Sequence, residues 1–257
     1  MSKSKNMGWH SVSLSGKVRS AWRQNSSAEE TLRLALKRFG RARVAFATSF
    51  GAEDQVITDM LVKIDPDAKI FTLDTGWLPA ETDAVLKKTV QQYGISLEIL
   101  KARPDAVKNM VREHGANLFY DSVEKRKLCC HVRKVEPLKK KLAALKAWIC
   151  GLRAGQSVTR AGAQKIEWDE VFGLYKINPL ADWTETRVWE YIKNNNVPYN
   201  ELHDRGYPSI GCSPCTRAIK PGEDTRAGRW WWERPEQKEC GLHIKDGKLA
   251  RRDNGSS

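Results

Sequence analysis

The sequence predicts an α/β protein: a mainly parallel sheet flanked by helices, followed by an irregular, mobile C-terminal tail that carries Cys240. Short apolar runs alternate three times with helix-spaced segments, the pattern of a parallel sheet with crossover helices. Small-residue loops stand where strands hand over to helices, the arrangement that points backbone N–H groups at an anion. From Pro198 the periodicity stops, and the chain becomes rich in Gly, Pro, Arg and Trp up to Cys240.

Taken in order, Leu32, Ala35, Leu36 and Phe39 share one face of a helix expected over 28–39, and Gly40 ends it. Arg43 to Thr48 reads as a buried strand, Ser49 to Asp54 as a turn, and Val56, Ile57, Met60 and Leu61 as the following helix. A second strand spans Lys69 to Leu73 and runs into Asp74-Thr75-Gly76. Leu86, Val90 and Tyr93 mark its helix, which Gly94 stops. Ile95 to Leu100 is a third strand and Pro104 to His114 a helix. Residues 121–146 read as helical, with a kink or restart at Pro137. Ala147 to Leu152 is another buried strand, followed by a polar loop from Arg153 to Arg160, and 171–180 a further one. Asp182 with Glu185 resembles a capping box opening a helix that holds Val188, Trp189 and Ile192. The expected organisation is a partly flexible segment 1–25, a ligand-binding α/β domain 26–220 and a tail 221–257.

With 40% hydrophobic residues in 257, the chain can bury a substantial core. No apolar run approaches the ~20 residues of a membrane span. No secretory leader is expected, because no apolar stretch follows the first lysines. Six cysteines, two of them adjacent, then read as reduced thiols in a cytoplasmic protein, used for metal ligation or thiol chemistry rather than disulfides. The net charge of +13 suits a solvated basic surface, nucleic acid or a small polyanion. Arginines near the C-terminal cysteines favour the last.

Cys212-Ser213-Pro214-Cys215 and the tandem Cys129-Cys130 supply four thiolates from two loci, the ligand count of a zinc ion or an iron–sulfur cluster. Adjacent cysteines on a helix project about 100° apart. They reach one ion only with distortion, whereas a bulky [4Fe–4S] cube spreads its corners and accommodates them better. Cys240, in Glu239-Cys240-Gly241-Leu242-His243, is a candidate nucleophile whose pKa His243, Arg226 and Arg229 would lower. An incidental surface cysteine is the plainer alternative. Arg226 and Arg229 can turn two forks to one anion. Cys150, within an apolar run, reads as structural. The loops Ser49–Asp54 and Leu73-Asp74-Thr75-Gly76, each weak alone, together suggest a nucleotide cleft.

In combination these motifs resemble the assimilatory adenylyl-sulfate/phosphoadenylyl-sulfate reductases of the iron–sulfur-cluster-containing type, from about Thr31 to His243. The Ser49–Asp54 loop resembles their modified pyrophosphatase loop, Leu73–Gly76 their Leu-Asp-Thr-Gly, the four cysteines their cluster ligands, and Glu239–His243 their catalytic motif. The resemblance implies an adenine nucleotide α-hydrolase-like fold and a [4Fe-4S] cofactor on Cys129, Cys130, Cys212 and Cys215. It implies that Cys240 attacks the sulfur of adenylyl sulfate, AMP leaves, and thioredoxin (or a glutaredoxin-like reductant) releases sulfite from an S-sulfocysteine. Cys240, His243 and Lys134 are the candidate catalytic residues. Ser49, Phe50, Gly51, Leu73, Asp74, Thr75, Gly76, Gly151, Arg153, Arg160, Arg226 and Arg229 are the candidates for substrate binding, with Gln156 supporting the Arg153 loop. The resemblance also implies a homodimer or homotetramer, with no membrane or nucleic-acid partner.

Phosphoadenylyl sulfate, or both nucleotides, is the alternative substrate. A cluster-bearing tRNA sulfurtransferase would suit the charge, but Phe50 and Ala52 spoil the Ser-Gly-Gly loop it needs. A cluster sensor that is not an enzyme would have no need of Cys240.

Overall fold

The computed structural model describes residues 26–157 and 160–239. Six strands form one sheet in the order β3-β2-β1-β4-β6-β5. β1 (Val44–Thr48), β2 (Ile70–Asp74), β3 (Leu97–Lys101), β4 (Ala147–Ile149) and β6 (Leu174–Ile177) are parallel. β5 (Ile166–Asp169) runs antiparallel at the edge. The helices are α1 (Ala28–Phe39), α2 (Ala52–Ile64), α3 (Ala80–Tyr93), α4 (Pro104–His114), α5 (Val123–Cys130), α6 (Glu136–Leu142) and α7 (Glu185–Asn194). None is long and apolar enough to cross a membrane.

The central strands β1 and β4 are apolar on both faces because both faces are covered. Val44 and Phe46 of β1 and Ile149 of β4 pack with Leu32, Leu36, Val56, Ile57 and Ile192 on one side. Ala45, Trp148 and Cys150 pack with Leu138 and Leu142 on the other. α1 opens on a full capping box: the Ser27 hydroxyl accepts from the Glu30 N–H at 3.1 Å, and the Glu30 carboxylate accepts from the Ser27 N–H at 2.8 Å.

Three local expectations are corrected. The turn after β1 is shorter than Ser49–Asp54: Gly51 is the N-cap, and Ala52 to Asp54 already form the first turn of α2. β5 has no counterpart in the sequence reading. It is a half-exposed hairpin strand, with Trp168 51% exposed, so it lacks the apolar run that marks the buried strands. The cap of α7 is Thr184, whose hydroxyl accepts from the Arg187 N–H at 3.2 Å; Asp182 instead pairs with Lys165 at 2.8 Å. The expected restart at Pro137 is present, in the first turn of α6, and before it the helix widens into a π turn over His131–Val135, directly after the paired cysteines. Such bulges recur at functional sites.

The chain winds from β1 outward through β2 and β3, then returns to place β4 on the other side of β1. This reversal leaves a crevice at the carboxyl ends of β1 and β4, the place where open α/β sheets bind ligands.

Candidate active site

Two cavities meet at the carboxyl edge of the sheet. The larger, about 240 Å³, is floored by Thr48, Ser49 and Gly51 after β1, Leu73 and Thr75 after β2, and Gly151 to Arg153 after β4. Asp54 ties these loops together. Its Oδ2 accepts from the Ser49 N–H at 2.6 Å and the Ser49 hydroxyl at 2.7 Å. Burial pushes its carboxyl up to about 6, against the lowering effect of these Ser49 bonds. Gly151 lies so close that a Cβ there would meet Asp54 Oδ1 at 2.2 Å, so only glycine fits. Phe50 takes φ +60, strained for a residue with a Cβ, and is buried. It shapes the loop from behind and does not line the cleft.

Asp74 and Gly76 also stay out of the cleft. The Asp74 carboxylate accepts from the Gly76 N–H at 2.8 Å and pairs with Lys101 at 3.1 Å. Thr75 turns toward the thiols instead, with Oγ1 3.2 Å from Cys212 Sγ. Its carbonyl accepts from Arg133 at 2.7 Å.

The cleft is cationic. Lys134, Arg153, Arg160, Arg226 and Arg229 all line the cleft. Arg153 is held by Glu53 at 2.7 Å, with its N–H on Gln156 at 3.1 Å. Arg229 donates to the Ile210 carbonyl at 3.1 Å and stacks on Trp230, 4.7 Å from the ring centre. A Cβ at Gly211 would strike its guanidinium at 2.2 Å.

The smaller cavity is lined by Cys129, Cys130, Cys212 and Cys215, with Trp77, Phe119 and Trp230 as apolar walls and Arg126, Arg133 and Lys134 as cations. All four cysteines are free thiols. Burial pushes Cys215 up to about 12, with Cys212 and Cys130 adding to it, and burial likewise raises Cys129. Cys212 goes the other way: burial raises it, but Lys134, the Thr75 hydroxyl and Arg229 together bring it below an ordinary thiol. Among the described residues no three His, Cys, Asp or Glu side chains converge as a single-ion site. Four thiols spread around one cavity among cations fit a larger, anionic group better than one zinc ion. Cys150 is a buried core thiol donating to Asn178 at 3.0 Å, in keeping with its structural reading.

One set of residues escaped the sequence reading. Arg126, fully buried, forks onto Glu233 at 2.8 and 2.6 Å. It also donates to the carbonyls of Gln237 at 2.8 Å and Glu239 at 2.6 Å, and lies over the Trp230 ring at 4.6 Å. It fastens the C-terminal segment to the helix that carries Cys129 and Cys130. Partners more than a hundred positions apart leave no local pattern to read. Cys240 and His243 lie outside the described residues.

Fold and site together define an adenine nucleotide α-hydrolase-like protein with a four-thiol locus beside its cleft. The phosphoadenosine phosphosulfate reductase domain matches residues 43–218, and the chain belongs to that family. It is 56% identical over 203 residues to the adenosine 5'-phosphosulfate reductase of Allochromatium vinosum, a match covering 79% of each chain. The crystal structure of phosphoadenylyl-sulfate reductase from Candida auris is similar with a TM-score of 0.67 at 30% identity, covering 81% of this chain and 100% of that one. A structure of FMN adenylyltransferase from Candida glabrata shares the fold alone, at 14% identity and a TM-score of 0.54 over 83% of this chain and 70% of that one.

Proposed function

We propose that this chain is an oxidoreductase that reduces adenylyl sulfate to sulfite and AMP with thioredoxin, in the reducing cytoplasm that its free thiols suit. The observation that carries the reading is a shared wall. Lys134, Cys212 and Trp230 line both the nucleotide-sized cleft and the four-thiol cavity. A phosphosulfate lying toward that wall would meet Lys134, Arg226 and Arg229. The name carried by the Allochromatium relative supports adenylyl sulfate as the substrate.

In this reading the Cys240 thiolate attacks the substrate's sulfur. A sulfur–sulfur bond forms, the bond from sulfur to the phosphate oxygen breaks, and AMP leaves with that electron pair. Lys134 and the arginines offset the negative charge that a thiolate must otherwise approach, and neutralise the departing phosphate. A thioredoxin thiolate then attacks Cys240 Sγ, sulfite departs, and the second thioredoxin thiol resolves the mixed disulfide. One dithiol becomes one disulfide, which supplies the two electrons. His243 is the candidate proton partner of Cys240. Cys129, Cys130, Cys212 and Cys215 would hold a [4Fe–4S] cluster, which when bound would supply a fixed electrostatic field next to Lys134.

The test is intact-protein mass spectrometry of anaerobically purified enzyme mixed with adenylyl sulfate, or its 3′-phosphorylated form, without thioredoxin. One added sulfite group on Cys240, removed by thioredoxin, is the expected result, with the greater yield from adenylyl sulfate. A greater yield from the 3′-phosphorylated nucleotide would reverse the substrate assignment. No adduct from either, on protein that retains its iron, would overturn the reading.

A further inference from the structure

Glu239, the residue before Cys240, is held in two separate ways. Its backbone carbonyl accepts from Arg126 Nη1 at 2.6 Å, on the thiol side. Its carboxylate, only 4% exposed, stands between two arginines of the cleft. Arg160 reaches it through Nε at 3.2 Å and Nη2 at 3.4 Å, and Arg226 through Nη2 at 3.5 Å. Arg160 Nη1 is engaged on Gln156 Oε1 at 2.7 Å, and Arg226 Nη2 also donates to the Lys238 carbonyl at 2.7 Å. Both arginines line the cleft, yet Arg160 Nε and Nη2 and Arg226 Nη2 face the tail.

A guanidinium fork holds one oxyanion well at a time. An incoming phosphosulfate and the Glu239 carboxylate therefore compete for the same donors. We infer that Glu239 is a positioning residue whose carboxylate serves as an exchangeable counter-ion: it holds the tail on Arg160 and Arg226 in the empty cleft and yields them to the substrate's anionic group. The Arg126 grip on the backbone is independent of this exchange. It keeps residue 239, and so the start of the reactive segment, at the cleft while the side chain lets go. This inference rests on the reductase reading, because it takes the phosphosulfate as the competing anion.

The exchange has a signature that a purely structural anchor lacks. Removing the charge lowers the substrate concentration needed for half-saturation, because a competitor is gone, and it slows the sulfur transfer, because the segment is less well placed. The experiment uses full-length, iron-loaded protein with Cys240→Ser, so that no transfer occurs, and titrates adenylyl sulfate by calorimetry with and without Glu239→Gln. Binding at least about fivefold tighter in the Gln variant is expected, the scale of one ion pair released from competition. Glu239→Ala, which leaves no amide to bond the arginines, should tighten binding as well. With Cys240 intact, Glu239→Gln should form the S-sulfocysteine more slowly at saturation while its half-saturating concentration falls. Unchanged or weaker binding in both variants, at native iron content and thermal midpoint, would overturn the inference and leave the reductase reading standing. No binding of adenylyl sulfate to the parent protein would overturn both.

Discussion

The two walls of the cleft are built by different physics. The floor, Ser49 to Asp54, Leu73 to Thr75 and Gly151 to Arg153, stands on strand ends and is held by short hydrogen bonds among neighbours. The facing wall, from Ser209 to Glu239, contains only short helical turns and one isolated bridge between Thr216 and Arg229. Arginines hold it instead: Arg126 on Glu233, Arg217 on Glu223 at 2.8 Å, and Arg160 and Arg226 on Glu239. The floor is thus pre-formed by the sheet, while the facing wall is an assembly of charges. Damage to the first should stay local; damage to the second should spread.

The largest expected effect is at Arg126. Burial works against its charge, but Glu233 more than offsets this and holds its pKa above the ordinary value. Arg126→Met leaves the Glu233 carboxylate buried without its partner, which costs about 3–5 kcal/mol. Chemical denaturation should show that loss, accompanied by loss of bound iron, because the same side chain sits beside Cys130 and under Trp230. Replacing both partners, Arg126→Met with Glu233→Met, should recover much of the stability. If the single variant costs under about 1 kcal/mol, the charged wall is held by something else and the comparison fails.

Asp54 is the counterpart in the floor. Its folded pKa of about 6 lies above the usual 3.8, so between those values the folded chain holds a proton that the unfolded chain has released. Native stability therefore falls as pH rises through that window and is level above it. Asp54→Asn should remove this slope, gaining up to about 3 kcal/mol relative to the native chain from pH 4 to 6. Nucleotide affinity should move the other way, since an amide offers one acceptor where the carboxylate gives two to Ser49 and Gly151. Denaturation and AMP titration at pH 4.5 and 7.5 check both signs. Gly151→Ala forces a Cβ against the same carboxylate and should cost about 1–3 kcal/mol, again with the iron retained.

The same division explains what the sequence could reveal. α1, α4 and the strands flanking the crevice were legible because their signals are local: apolar spacing, Gly40 after the end of α1 and Pro104 at the start of α4. The cysteines and cleft cations were legible because each sits in a short motif. Their internal partners were not. Glu53 meets Arg153 and Glu233 meets Arg126 across about a hundred residues, and nothing beside either glutamate marks the pairing. Asp54 read as one polar residue of a turn, yet it is the buried knot of the floor, because the helix starts three residues earlier than a turn of that length allows.

The smallest effect tests how local the regular part is. α7 lends Val188 and Trp189 to the outer rim of the cleft. Its first turn hangs on the Thr184 hydroxyl, which accepts from the Arg187 N–H at 3.2 Å. Thr184→Ala should cost about 1 kcal/mol, read as a small drop in thermal midpoint, with AMP affinity and iron content unchanged. Asp182→Ala removes only a half-exposed pair with Lys165, worth about 0–1 kcal/mol, and should cost less. The reverse order would restore Asp182 as the cap. A loss of iron in Thr184→Ala would show that the helical rim and the charged wall are one cooperative unit, because no described contact of Thr184 reaches the thiols.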